Sequence, residues 1–209
     1  VGEPPETCLG TAYVLLRREI RSYAAEEPPW REQPERAIVM MGGSDIAELT
    51  PTVVRAFDGF DLHVAAVVGP GCSAELERDV REAARGSSTS VTVRRDPETL
   101  VELMRNADIA VTTASTTTYE LLALGTPIIA VPVVSNQEPI AAALRNRDVG
   151  TVLQPGTGAE AFRKAIRDAV NRPDLRRKHR TRGRKLVDCN GAKRVAATLY
   201  RIAEATEPS

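Results

Sequence analysis

From Ala37 onward the chain alternates short apolar, β-branched runs with longer stretches of helical period. The runs are Ala37–Met41, His63–Val68, Ser90–Val93, Ile109–Thr112, Ile128–Val131 and Thr151–Leu153. Runs of four to six apolar residues without polar alternation suit strands covered on both faces of a parallel sheet. Helical periods fill 50–57, 73–85, 97–106, 117–124, 137–147 and 159–171, and two more close the chain at 174–187 and 192–205. Thr50-Pro51 and Asp96-Pro97 each offer a helix cap followed by proline at the first helical position, while Gly86, Gly125 and Gly150 stand where helices should stop. The alternation predicts an α/β fold. Its core is a doubly wound, mostly parallel six-stranded sheet of Rossmann-like type, with helices on both faces and C-terminal helices added.

The first 36 residues fit no such unit. Val14, Leu15 and Leu16 form an apolar patch that a short arm cannot bury alone, and residues 23–36, "YAAEEPPWREQPER", are rich in proline and charge. The expected division is 1–36 as a linker and remnant of an N-terminal domain missing upstream, and 37–209 as the α/β domain. With 28 basic against 28 acidic residues, the 209-residue chain lacks the basic excess of a dedicated nucleic-acid binder. No apolar run approaches the roughly 20 residues that span a bilayer, and no signal peptide is visible. Cys8, Cys72 and Cys189 are far apart and show no CxxC spacing, which points to a reduced, cytoplasmic chain without a structural metal.

In a doubly wound sheet, ligands sit beyond the carboxyl ends of the strands. Gly42, Gly43 and Ser44 follow the first strand, where glycines permit a tight turn and exposed amides can meet an anion; a plain strand-to-helix turn would use the same glycines. Gly69-Pro70-Gly71-x-x-Ala74 fits a dinucleotide fingerprint, yet the proline stiffens the turn and the strand is the second, not the first. The most informative loop is Thr116-Thr117-Thr118-Tyr119-Glu120, with Thr112, Thr113 and Ser115 hydroxylated just ahead of it. Thr117 and Glu120 have capping-box spacing, but the surplus hydroxyls suggest phosphate oxygens at a helix N-terminus. Glu120 could instead accept from vicinal ribose hydroxyls. Asn136 and Gln137 offer donors and acceptors suited to sugar groups, or a helix cap.

Taken together, "MGGSD", "ADIAVTTASTTTYELLALGTPIIAVPVVSNQ" and the upstream "YVLLRREI" resemble the C-terminal, nucleotide-binding half of two-domain GT-B nucleotide-sugar enzymes. The likeness is to the UDP-sugar hydrolase of pseudaminic acid biosynthesis and to polysaccharide-biosynthesis glycosyltransferases. The peptidoglycan N-acetylglucosaminyltransferase is a more distant relative. The resemblance implies that residues 37–209 bind a UDP-sugar or UDP. Gly42, Gly43 and Ser44 would lie near sugar and pyrophosphate, and Ser115, Thr116, Thr117 and Thr118 near phosphate oxygens. Glu120 would meet the ribose, the backbone around Arg95 the uracil edge, and Asn136 and Gln137 the sugar. It implies no cofactor and no metal. The catalytic base belongs, in such enzymes, to a glycine-rich loop of the N-terminal half, and neither His63 nor His179 matches it. Thr113-Ala114-Ser115 stands where many relatives carry glycines, so phosphate geometry can differ here. Outside this pattern, Arg176, Arg180 and Arg184 recur at helical spacing within "RRKHRTRGRK". That basic face reads as a solvated surface, or as a contact for an anionic membrane through Arg176–Lys185.

Overall fold

A computed structural model describes residues 7–206. Six strands form one parallel sheet: β1 (Arg36–Met40), β2 (His63–Val68), β3 (Ser90–Arg95), β4 (Ile109–Thr113), β5 (Ile128–Val131) and β6 (Thr151–Val152). Their spatial order is β3-β2-β1-β4-β5-β6. The connecting helices are α1 (Arg18–Ala24), α2 (Thr50–Ala56), α3 (Ala74–Arg85), α4 (Leu100–Asn106), α5 (Thr117–Leu124), α6 (Glu138–Arg147) and α7 (Ala159–Asn171). Two more, α8 (Pro173–Leu186) and α9 (Gly191–Thr206), follow the sheet. This is the doubly wound arrangement the pattern predicts, with every paired strand parallel.

Alternate residues of each strand feed opposite layers. Ile38, Met40, Ala65 and Ala110 pack toward α1, α4, α5 and α6, with Ile20 of α1 fully buried among them. Val39, Val64, Val111 and Ile129 pack toward α2 and α7, where Phe57, Phe162 and Ile166 are fully buried. Burial of this kind contributes about 1.5–3 kcal/mol for each large side chain, so the sheet is a rigid platform for the loops at its ends.

Helix starts depart from the sequence expectation. Thr50 is the first residue of α2, not its cap. Instead Asp45, only 3% exposed, accepts from the Leu49 and Thr50 amides at 3.0 and 2.8 Å and from Thr50 Oγ1 at 2.6 Å. A carboxylate five residues back supplies what the hydroxyl was expected to supply. Asp96-Pro97 likewise begins a turn, and α4 starts only at Leu100. Gly125 does take the left-handed conformation that ends α5 (φ 77°), but Gly86 keeps φ −80° and Asp148, not Gly150, closes α6.

The face of α8 that carries Arg176 and Arg180 is turned inward and is not the solvated surface, or the membrane contact, that the spacing suggested, while Arg184 at its end keeps a quarter of its side chain exposed. Arg176 is 1% exposed. Its guanidinium donates to the carbonyls of Ala169, Val170, Arg31 and Glu32. Arg180 donates to the carbonyls of Pro28 and Pro29 and to Glu27, and Arg184 to the carbonyls of Ala24 and Glu26 and to Glu27. Trp30 lies against Arg176, Arg177 and Arg180, with guanidinium carbons 5.0–5.5 Å from the ring centre. Proline-rich chain in residues 24–34 offers carbonyls without matching amides, and the arginines satisfy them. What spacing showed as a charged stripe is a strap over the linker segment.

Candidate functional site at the switch point

Strand order reverses between β1 and β4, which opens a crevice beyond their carboxyl ends. The loop after β1 enters this crevice through Gly42, at φ 97°. Gly43 is fixed by its neighbour after β2: the Gly71 amide donates to the Gly43 carbonyl at 2.9 Å. A Cβ on Gly69 would lie 2.3 Å from that same carbonyl oxygen. Gly69 and Gly71 therefore allow two loops to touch, and their spacing needs no dinucleotide to explain it. Ser73 caps α3, accepting from the Leu76 amide at 3.0 Å. Ser44 sits against Gly71, where an added Cβ would fall 2.6 Å from its Oγ.

Across the crevice, α5 begins at Thr117 with Thr116 as its N-cap. The capping box is not formed. Thr116 has helical backbone angles (φ −57°, ψ −26°) and makes no side-chain cap, whereas side-chain capping needs an extended residue there. Glu120 is instead held by Arg17, whose Nε and Nη2 donate to its two carboxylate oxygens at 2.8 and 3.1 Å. Thr118 is buried and its hydroxyl donates to the Ser115 carbonyl at 2.6 Å. Thr113 Oγ1 donates to Ser115 Oγ at 3.2 Å. The hydroxyl of Thr112, 1% exposed, has no partner among the described residues. The amides of Thr116 and Thr117 likewise meet no acceptor among the described residues, so the helix start keeps free donors.

Between these loops lies a cavity of about 120 Å³. Gly42, Gly43, Thr117 and Glu120 line it together, with Gly69, Pro70 and Asp96 closing the β2–β3 side over an apolar floor of Met40, Val67 and Leu100. Four of the residues singled out in the sequence thus meet in one place. Others do not. Thr118 points into the core, and the Arg95 side chain turns away to Glu77 at 2.7 Å and to the carbonyls of Pro70 and Cys72. The Asp96 amide donates to Val68 at 3.0 Å. Backbone groups alternate along a strand, and β3 is an edge strand, so the N–H and C=O of Arg95 itself face the open edge. Asn136 and Gln137 lie in a short 3-10 turn after β5. Asn136 is exposed, while the Gln137 side chain accepts from the Val133 amide at 2.9 Å. They share the carboxyl edge but do not line the cavity.

Neither histidine reaches this site. His63 bonds Ser90 and Thr92 at the amino end of the sheet, and His179 is buried on α8 beside Asp148. Among the described residues no group of three or more His, Cys, Asp or Glu converges as a metal would require. Sequence reasoning missed Arg17, and it read Asp96 as a helix cap where the structure places it in the cavity wall. Arg17 stands within "YVLLRREI", but nothing in its spacing joins it to a residue 103 positions later.

A family model described as "Glycosyl transferases group 1" matches residues 52–186, more than half of the chain. The chain belongs to the group 1 glycosyl transferases. The match runs from α2 to the end of α8, so the glycine loop after β1 and Arg17 lie ahead of it. Solved structures with the same fold include Acinetobacter baumannii MurG, at 13% identity and TM-score 0.70 over 87% of this chain and 53% of that one. CalG4, the calicheamicin glycosyltransferase, follows at 20% identity and TM-score 0.65, covering 88% and 45%. Staphylococcus aureus TarM, solved with UDP among its ligands, has 10% identity and TM-score 0.57 over 78% and 34%. A Methanocaldococcus jannaschii protein, "Uncharacterized protein MJ1062", is 25% identical over 124 residues, which is 57% of this chain and 26% of that protein. This group 1 glycosyl transferase domain therefore has a GT-B fold and spans about half the length of the MurG and CalG4 chains.

Proposed function

We propose that this domain binds the nucleotide part of a nucleotide-sugar, UDP-linked, and serves glycosyl transfer or UDP-sugar hydrolysis in the making of cell-surface glycans. The observation that carries the reading is the cavity at the switch point, where Gly42 and Gly43 face Thr117 and Glu120. Free amides and a hydroxyl at the start of α5 suit pyrophosphate oxygens, aided by the positive end of the helix dipole. Glu120, held on one side by Arg17, keeps acceptor capacity for ribose hydroxyls. The open edge at Arg95 suits a base that pairs with peptide groups. Ser44, Ser115, Asn136 and Gln137 stand around this centre as contacts for the sugar and outer phosphate oxygens. With no histidine at the cavity, the catalytic base is assigned to a second, N-terminal domain outside this chain, and residues 37–209 to nucleotide binding. The setting is the cytoplasm.

Calorimetric titration tests this directly. UDP and UMP should bind and NADPH should not. Glu120→Ala should weaken UDP by about 10–100-fold, the size of a lost charge-assisted hydrogen bond. Thr117→Val should weaken it by a smaller factor without loss of fold. No UDP-dependent heat at millimolar nucleotide, or unchanged affinity in Glu120→Ala, would sink the reading.

A further inference from the structure

A second cavity, of about 560 Å³, shares no lining residue with the one at the switch point. It lies between α1, the end of α8 and the start of α9, over the methyl groups of Ala24 and Ala123. Arg18 and Arg21 line one wall, one helical turn apart, and Lys193 and Arg184 line others. In a chain with 28 charges of each sign, three of these cations, Arg18, Arg21 and Lys193, are left calling for partners. The neighbouring acids are already engaged, one of them with Arg184 itself. Glu26 pairs with Arg105 at 2.6 Å, and Glu27 with Arg180 and Arg184 at 2.7 and 3.1 Å. Asp188, the one carboxylate lining the cavity, is bound by both arms of Arg194 and by the Asn190 amide. Arg18, Arg21 and Lys193 have no ion-pair partner among the described residues. Arg184 is fixed by two carbonyls and Glu27, which gives the wall a rigid donor frame.

We propose that this hollow is a second anion site, taking a phosphate-bearing ligand. Two arginines one turn apart with a lysine opposite suit a phosphate or diphosphate, which accepts several charge-assisted bonds at once. The cavity has room for an attached group above the alanine floor. The site stands apart from the nucleotide reading and does not depend on it. Arg17 and Arg18 are consecutive, however, so one chain segment borders both.

The test is a titration of the whole chain with inorganic pyrophosphate, followed by amide NMR at low ionic strength. Shifts are expected at Ser22 and Asn190, with affinity weakened at least about 10-fold in Arg21→Ala/Lys193→Ala and strongly reduced by about 0.5 M salt. Thr117→Val should leave those shifts unchanged, which separates this site from the nucleotide cavity. A parallel arm sediments the protein with vesicles of phosphatidylcholine alone or with phosphatidylglycerol added. Retention on the anionic vesicles, lost in the double variant and displaced by pyrophosphate, identifies a lipid headgroup. Pyrophosphate binding without retention identifies a soluble phosphate compound. Pyrophosphate that leaves Ser22 and Asn190 unmoved at about 10 mM overturns the proposal, as does binding that the double variant does not weaken.

Discussion

Arg17 and Glu120 show how one contact sets the condition of a site. The arginine is half exposed and the glutamate mostly covered, so the pair adds little stability, under about 1 kcal/mol. Its effect falls on orientation, since a bidentate guanidinium fixes the plane of the carboxylate. Arg17→Ala should leave the melting temperature nearly unchanged yet weaken UDP by about 10-fold, and Arg17→Lys should recover only part of the loss. Calorimetry of the three proteins side by side checks this. Gly69 behaves in the opposite way. A methyl group there meets backbone at 2.3 Å, so Gly69→Ala should cost about 2–3 kcal/mol in urea unfolding and abolish UDP binding together with it. The glycines, Thr117 and Glu120 were legible in the sequence because strand-end loops stand out between apolar runs. Arg17 was not, because its partner is set by the fold and not by spacing.

At the scale of elements, the periods placed strands and helices closely, while their surroundings escaped them. The interval between Arg176, Arg180 and Arg184 established that they share a face, but period alone does not say what that face meets. Here it meets proline-rich chain with carbonyls to satisfy. Arg176→Ala should therefore destabilise the fold by about 3 kcal/mol, because it leaves covered carbonyls without a donor. Arg177→Ala, on an exposed neighbour, should stay within about 0.5 kcal/mol, and chemical denaturation of both separates strap from surface. The same helix gives a pH dependence. Burial pushes His179 down from its ordinary value to about 4, against a smaller upward pull from Asp148 and with Lys178, Arg182 and Arg172 also opposing its charge. The unfolded chain takes up this proton first, so the contribution of neutral His179 is full above about pH 6.5 and declines as pH falls toward 4. Unfolding measured across that window should show a slope that His179→Gln flattens. The capping box failed for a related reason: Thr117 and Glu120 have the right interval, but Thr116 enters the helix in helical conformation and Arg17 claims the carboxylate.

For the molecule as a whole, the alternation of runs and periods was enough to yield the six-stranded doubly wound sheet, because few chain topologies satisfy it. Strand order then follows the two-halved pattern, and with it the location of the crevice between β1 and β4. No helix among the described residues is long and apolar enough to cross a membrane. One contact across that crevice reaches beyond binding. The turns after β1 and β2 touch through bare backbone at Gly43 and Gly69, so neither can be reshaped alone. Adaptation of the crevice to a different ligand would have to change both turns in step. Paired saturation libraries should accordingly find residues 42–44 and 69–71 non-additive, with single changes rejected that matched double changes allow.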